Sequence, residues 1–232
     1  VKQEIILLDI AMQADFFLPG GSMYTKEAMN VRSQVYQLFE WASKNHHPVI
    51  STVLRVTPNR VGPLGKIPHC VEGTYGERKL QQTLIPPYID LGMRNITDLP
   101  DDILRQYGQV IFEQRSTNIF DHARAERLIS QLPTAIFVVC GAGVSFGVSQ
   151  AAIGLCNRGY GVVVPNNAVL GFGSHNMKST CQRMAAKGVV FLSTKTIVAA
   201  HEASSKQLAF HTEQRSRNKI LKRSIKKRIL RG

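Results

Sequence analysis

The chain is poor in cysteine. Cys70, Cys140, Cys156 and Cys181 are the only four, and no two form a C-x-x-C pair. That excludes a zinc ribbon and a thioredoxin-like redox motif. Four thiols in 232 residues do not make a secreted disulfide scaffold, so reduced, buried thiols in an intracellular compartment are expected. Charged residues are also few, 19% against 44% hydrophobic, which excludes a wholly disordered chain. No apolar run approaches the ~20 residues of a membrane span. The longest runs, at 135–140 and 161–165, are strand-sized. No secretory signal is visible. The first residue is Val1, as a removed leader would leave it.

Acidic residues are scarce in one region above all. Residues 212–232 carry a single acid, Glu213, against nine bases: Arg215, Arg217, Lys219, Lys222, Arg223, Lys226, Lys227, Arg228 and Arg231. The whole chain has a net charge of +13, so the body is mildly basic and the tail is a polycation. A block of like charge repels itself and buries little, so the reading divides the chain into a folded domain over 1–205 and a basic tail over 206–232. Dense Lys and Arg are the electrostatic footprint of phosphate binding. Leu221, Ile225 and Ile229 would form a stripe on a helix, which also suits an anionic membrane surface. The stripe is narrow and has no Trp or Phe, so RNA is the favoured partner of the nine basic residues.

Within the body, apolar β-branched runs alternate with helical patterns. Strands are expected at 4–9, 49–54, 110–113, 135–140, 160–165 and 189–192. Helices are expected at 26–43, 99–107, 121–131, 147–158, 175–187 and 195–204. A Pro- and Gly-rich stretch from about 58 to 95 has no clear period. Such alternation argues for a parallel sheet covered on both faces, with ligands bound outside the carboxyl ends of the strands.

The turn Gly143-Val144-Ser145-Phe146-Gly147 lies between a strand and a helix and matches the G-x-S-x-G nucleophile elbow. A triad on it would need an acid and a histidine downstream. The only acids after Ser145 are Glu202 and Glu213, and His211 adjoins the basic tail.

Three longer motifs are more informative. They are Met12-Gln13-Ala14-Asp15-Phe16-Phe17 followed by Pro19-Gly20-Gly21, then Pro68-His69-Cys70-Val71-Glu72-Gly73-Thr74-Tyr75-Gly76, then the 140–147 turn leading to Asn157-Arg158-Gly159-Tyr160. In order and spacing, from about residue 4 to 203, the chain resembles the isochorismatase-like cysteine hydrolases, the group that includes nicotinamidase. The resemblance implies an α/β fold, a three-layer α/β/α sandwich around a six-stranded, mainly parallel sheet, with the basic C-terminal extension added to it. It also implies a Cys–Asp–Lys triad. Carried onto this chain, the Asp position is Ala11, the Lys position Gln114 and the Cys position Gly147. Ala has no proton acceptor, Gln no positive charge and Gly no nucleophile. The family's metal motif after the second strand meets Val53-Leu54-Arg55-Val56, and His69 alone is not a metal site. Asp9, two residues before Ala11, and Ser145 are the candidates for a rearranged hydrolase.

The expectation is therefore a pseudoenzyme with no cofactor or metal. It would serve as a structural, RNA-contacting component of a ribonucleoprotein, a ribosomal subunit or its assembly particle, with a mitochondrial ribosome as the suspected home. rRNA and neighbouring subunits are the expected partners. A hydrolase using Ser145 or Asp9, and a small-molecule sensor keeping the pocket, are the alternatives. If about six tail charges meet phosphates, RNA affinity should fall with a log–log salt slope of about −4 to −5. Removing residues 212–232 should abolish most of that slope in a salt-titrated binding assay. Full salt dependence without the tail would assign the contact elsewhere.

Overall fold

The computed structural model describes residues 4–94, 96–172 and 177–203. The nine basic tail residues, His211 and the start of the helix expected at His175 lie outside the described residues. One compact unit extends to Thr194 and a second begins at Lys195. In the second, described residues up to 203 are helical.

The first unit is an eight-stranded sheet flanked by helices. Its elements are β1 (Glu4–Ile10), α1 (Ala14–Phe17), α2 (Lys26–Lys44), β2 (Val49–Leu54), β3 (Tyr88–Asp90), α3 (Ile103–Gln106), β4 (Gln109–Gln114), α4 (Ala123–Ser130), β5 (Ala135–Ala142), α5 (Ser149–Asn157), β6 (Gly161–Pro165), β7 (Val169–Leu170), α6 (Met177–Ala186) and β8 (Val190–Leu192). The strand order is β3-β4-β2-β1-β5-β6-β8, with β7 beside β5, and every strand pair is parallel. The first half of the chain builds outward from β1 through β2 and β4, and the second half returns to β5 on the other side. This reversal opens a crevice at the carboxyl ends of β1 and β5. Both strands are almost wholly apolar and buried, as a sheet covered on two faces requires.

The sheet has eight strands, not the six expected. The additional two are β3 and β7. β3 has three residues, of which Tyr88 and Asp90 are exposed, and β7 has two. Neither is long enough to show a period; each exists because a neighbouring strand offers unpaired backbone groups. The helix expected at 99–107 shortens to Ile103–Gln106 behind Asp102 in the left-handed region. The helix expected from Gly147 begins at Ser149, because Phe146 is non-helical and the Val144–Val148 turn is irregular.

A buried ion pair fastens the irregular stretch to the sheet. Arg78 and Leu80 bond to the backbone of 12–14, which inserts Lys79 beneath α2. There its ammonium lies 2.6 Å from Asp9 Oδ2, with side chains 7% and 0% exposed, and 5.7 Å from the centre of the Phe39 ring. Ser51 Oγ donates to the other Asp9 oxygen, and Gln109 Nε2 donates to both Ser51 Oγ and Thr83 O. Burial pushes the Asp9 carboxyl up, and Lys79 and Ser51 pull it back toward the charged form. Lys79→Met should cost about 3–5 kcal/mol in urea unfolding, because it strands a buried carboxylate. The double change with Asp9→Leu should recover most of that loss. Equal effects of the single and double changes would rule out the pair as the fastening.

Candidate functional site

The crevice is built from the ends of β1, β4 and β5. Ala11 follows β1 with φ of 49°, a left-handed conformation that Asp or Asn tolerates better than Ala. Its amide donates to Thr52 O at 3.2 Å, and it is 7% exposed. Gln114 ends β4, paired in register with Leu54. It is buried, and its Oε1 has no hydrogen-bond partner among the described residues. A cavity of about 440 Å³ adjoins it, with Ser116, Asp121 and His122 in the wall; neither Ala11 nor Gly147 lines it.

Gly147 is the most constrained of the three. A Cβ placed there would lie 2.7 Å from Ile10 Cγ2 and 3.0 Å from Thr117 O. Both distances are too short for ordinary packing. A branched side chain and a backbone carbonyl occupy the space where a nucleophile's Cβ would begin.

The alternative nucleophiles are placed no better. Ser145 Oγ pairs with Thr180 Oγ1 at 3.2 Å, and among the described residues no imidazole or carboxylate bonds to it. Asp9 is committed to Lys79 and Ser51. Cys140 is the register partner of Asp9 on β5 and is fully buried. Burial, with the Asp9 carboxylate adding to it, pushes its thiol well above the usual range. Cys70 is buried as well, and burial also raises its thiol, helped by Asp15. Cys156 and Cys181 are half-buried, and burial raises both. A nucleophilic thiolate needs a lowered pKa, and all four shifts run the other way.

The family-like motifs hold architecture. Gln13 donates to Leu54 O and Glu77 O, and accepts from Leu54 N at 2.7 Å, which ties β1 to β2 and to the following loop. The Asp15 carboxylate accepts from Ser22 N at 3.0 Å and Cys70 N at 2.6 Å. Gly76 packs so closely on it that a Cβ would sit 2.1 Å from Oδ2. His69 is fully buried. Its Nδ1 donates to Ile67 O at 2.7 Å, and its Nε2 has no partner among the described residues. After β2, Arg55 binds Glu77 and Glu113. No cluster of three His, Cys, Asp or Glu side chains fit to hold a metal occurs among the described residues. The residues present do not suit a metal centre: His69 is a single imidazole, and Arg55, a cation, is engaged by Glu77 and Glu113.

Lys79, Ser51 and Gln109 escaped the sequence reading. Lys79 lies in the stretch without a period, and its partner is 70 residues away. The three buried groups of the ion-pair network therefore left no local signal.

Comparison with known proteins places this geometry. The isochorismatase domain family matches residues 5–196. Among solved structures, an isochorismatase family protein from Desulfovibrio vulgaris superposes with a TM-score of 0.66 at 18% identity, over 87% of this chain and 100% of that one. A nicotinamidase/pyrazinamidase from Bacillus subtilis gives 0.64 at 16%, over 82% and 100%. A pyrazinamidase from Pyrococcus horikoshii in complex with zinc gives 0.60 at 18%, over 82% and 99%. No curated protein matches the sequence.

Installing a thiol at Gly147 should therefore fail twice. Gly147→Cys should lose about 1–3 kcal/mol of stability from overpacking against Ile10, read as a lowered midpoint in denaturant. It should show no acyl-enzyme burst with amide or ester substrates. A stable variant with a burst would mean that the crevice remains competent.

Proposed function

The chain belongs to the isochorismatase domain family, and we propose that the triad positions of that family fall here on Ala11, Gln114 and Gly147 and that the chain is a catalytically inactive member. Its role is that of a structural, RNA-contacting component of a ribonucleoprotein. A ribosomal subunit or its assembly particle, in mitochondria, is the specific assignment. The observation that carries the loss of catalysis is the packing at Gly147, where Ile10 and the Thr117 carbonyl take the space of a side chain. The raised thiols support it, as does the bonding of Asp9 to Lys79 rather than to a reacting group. The RNA contact is supported by the nine cations of residues 212–232. Their charge density suits phosphates, and their lack of aromatics suits backbone contact rather than base reading.

The test is sedimentation of the native protein from an organelle extract with and without RNase, alongside an assay of amide hydrolysis by the purified chain. Migration with a large particle that collapses on RNase treatment, together with no turnover, is expected. Slow sedimentation indifferent to RNase, with turnover abolished by Ser145→Ala, would replace this reading with a rearranged hydrolase.

A further inference from the structure

A second basic surface lies on the body of the domain, and Ala11, Gln114 and Gly147 do not line it. A cleft of about 420 Å³ opens between α2 and the segment that carries Lys79, a volume in the range of small-molecule sites. Its lining includes Arg32, Tyr36, Tyr75, Arg78, Lys79 and Gln82, and no carboxylate contributes. Lys79 is neutralised by Asp9, so the surplus charge comes from Arg32 and Arg78. Arg32 Nη1 donates to Phe17 O at 2.9 Å, which fixes one edge of its guanidinium. The same group lies 6.0 Å from the centre of the Tyr36 ring. Arg78 lies 5.4 Å from the centre of the Tyr75 ring, and among the described residues no carboxylate pairs with it. Tyr36 donates its hydroxyl to Gln82 Oε1 at 3.2 Å. Tyr75 is 62% exposed, so most of its ring stays open beside the Arg78 guanidinium.

Two guanidiniums, an open aromatic ring and side-chain amides, without a competing acid, are the complement of a phosphate joined to a flat heterocycle. We propose that this cleft binds one nucleotide of a single-stranded RNA. Arg32 and Arg78 take the phosphate, and the base stacks on Tyr75. The proposal rests on the RNA-contacting reading above and deepens it, because residues 212–232, which hold the nine cations, carry no aromatic ring for a base to stack on. Stacking on an aromatic ring is tolerant of sequence, and phosphate contacts carry the salt dependence. The two kinds of contact are therefore separable by experiment.

The probe is a fluorescent 12-residue oligouridylate titrated with the full chain at several salt concentrations. Tyr75 and Arg78 are exposed, so Tyr75→Ala and Arg78→Gln should leave thermal melting unchanged. Tyr75→Ala should weaken binding about tenfold with the salt slope intact. Arg78→Gln should weaken it and flatten the slope by about 0.7. Free uridine monophosphate at the oligomer's concentration should not compete, because it lacks the linked contacts. Tight oligomer binding that neither variant changes would overturn the cleft and leave the ribonucleoprotein reading standing. Equal competition by the mononucleotide would overturn RNA as the source of the ligand. Failure of the unaltered chain to bind the oligomer at all would overturn both readings together.

Discussion

The fold depends on one buried electrostatic contact, between Asp9 on the central strand and Lys79 from the irregular stretch that follows β2. An uncompensated charge at either position would be costly beneath α2, so each group requires the other. Ser51 and Gln109 extend the contact across β2 and β4, and Gln109 Nε2 reaches back to Thr83 O in the same stretch. A segment with no hydrophobic period is thereby held against three neighbouring strands. The Gln13 bonds to Leu54 and Glu77 tie the residues just before Lys79 to β2.

The same stretch forms the margins of both surfaces of interest. On one side it supplies Cys70 and Gly76 to the Asp15 carboxylate, beside the crevice end of β1. On the other it presents Tyr75, Arg78 and Lys79 to the cleft against α2. Motif residues that resemble those of amide hydrolases are thus occupied in holding a loop, and the loop bears the exposed ring and guanidinium. The same motif residues can serve architecture whatever chemistry the crevice supports, because fold and function are separable.

The character of the crevice follows from packing. Gly147 lies where Ile10 and the Thr117 carbonyl approach within van der Waals distance of any Cβ. Ala11 is in a left-handed backbone conformation that Asp or Asn adopts more readily than Ala. The thiols that remain are Cys70 and Cys140 in the interior and Cys156 and Cys181 half-buried, and burial disfavours the thiolate at all four. The chain keeps polar groups near the sheet's carboxyl edge; Gln13, Asp15 and Asp9 bond to neighbours and backbone, while Gln114 Oε1 has no partner among the described residues.

Much of this was legible in the sequence. The strands β1, β2, β4, β5 and β6 and the helix α2 follow from runs of β-branched residues and from a 3.6-residue period, both of which are local, and β8, as short as β3, is marked by its apolar run alone. The order of the 12–17, 68–76 and 140–147 motifs carries the family resemblance on its own. The chemical poverty of Ala11, Gln114 and Gly147 is a matter of residue identity alone. The two short strands, the irregular start of α5 and the pairing of Asp9 with Lys79 were not legible. β3 and β7 are too short to carry a period, and an ion pair between residues 70 apart leaves no mark on either one's neighbours. Local spacing sets the longer strands, α2 and the residue types at the crevice. Which distant charges meet beneath α2, and how tightly Ile10 closes on Gly147, depends on strand order and close packing, which local spacing does not encode.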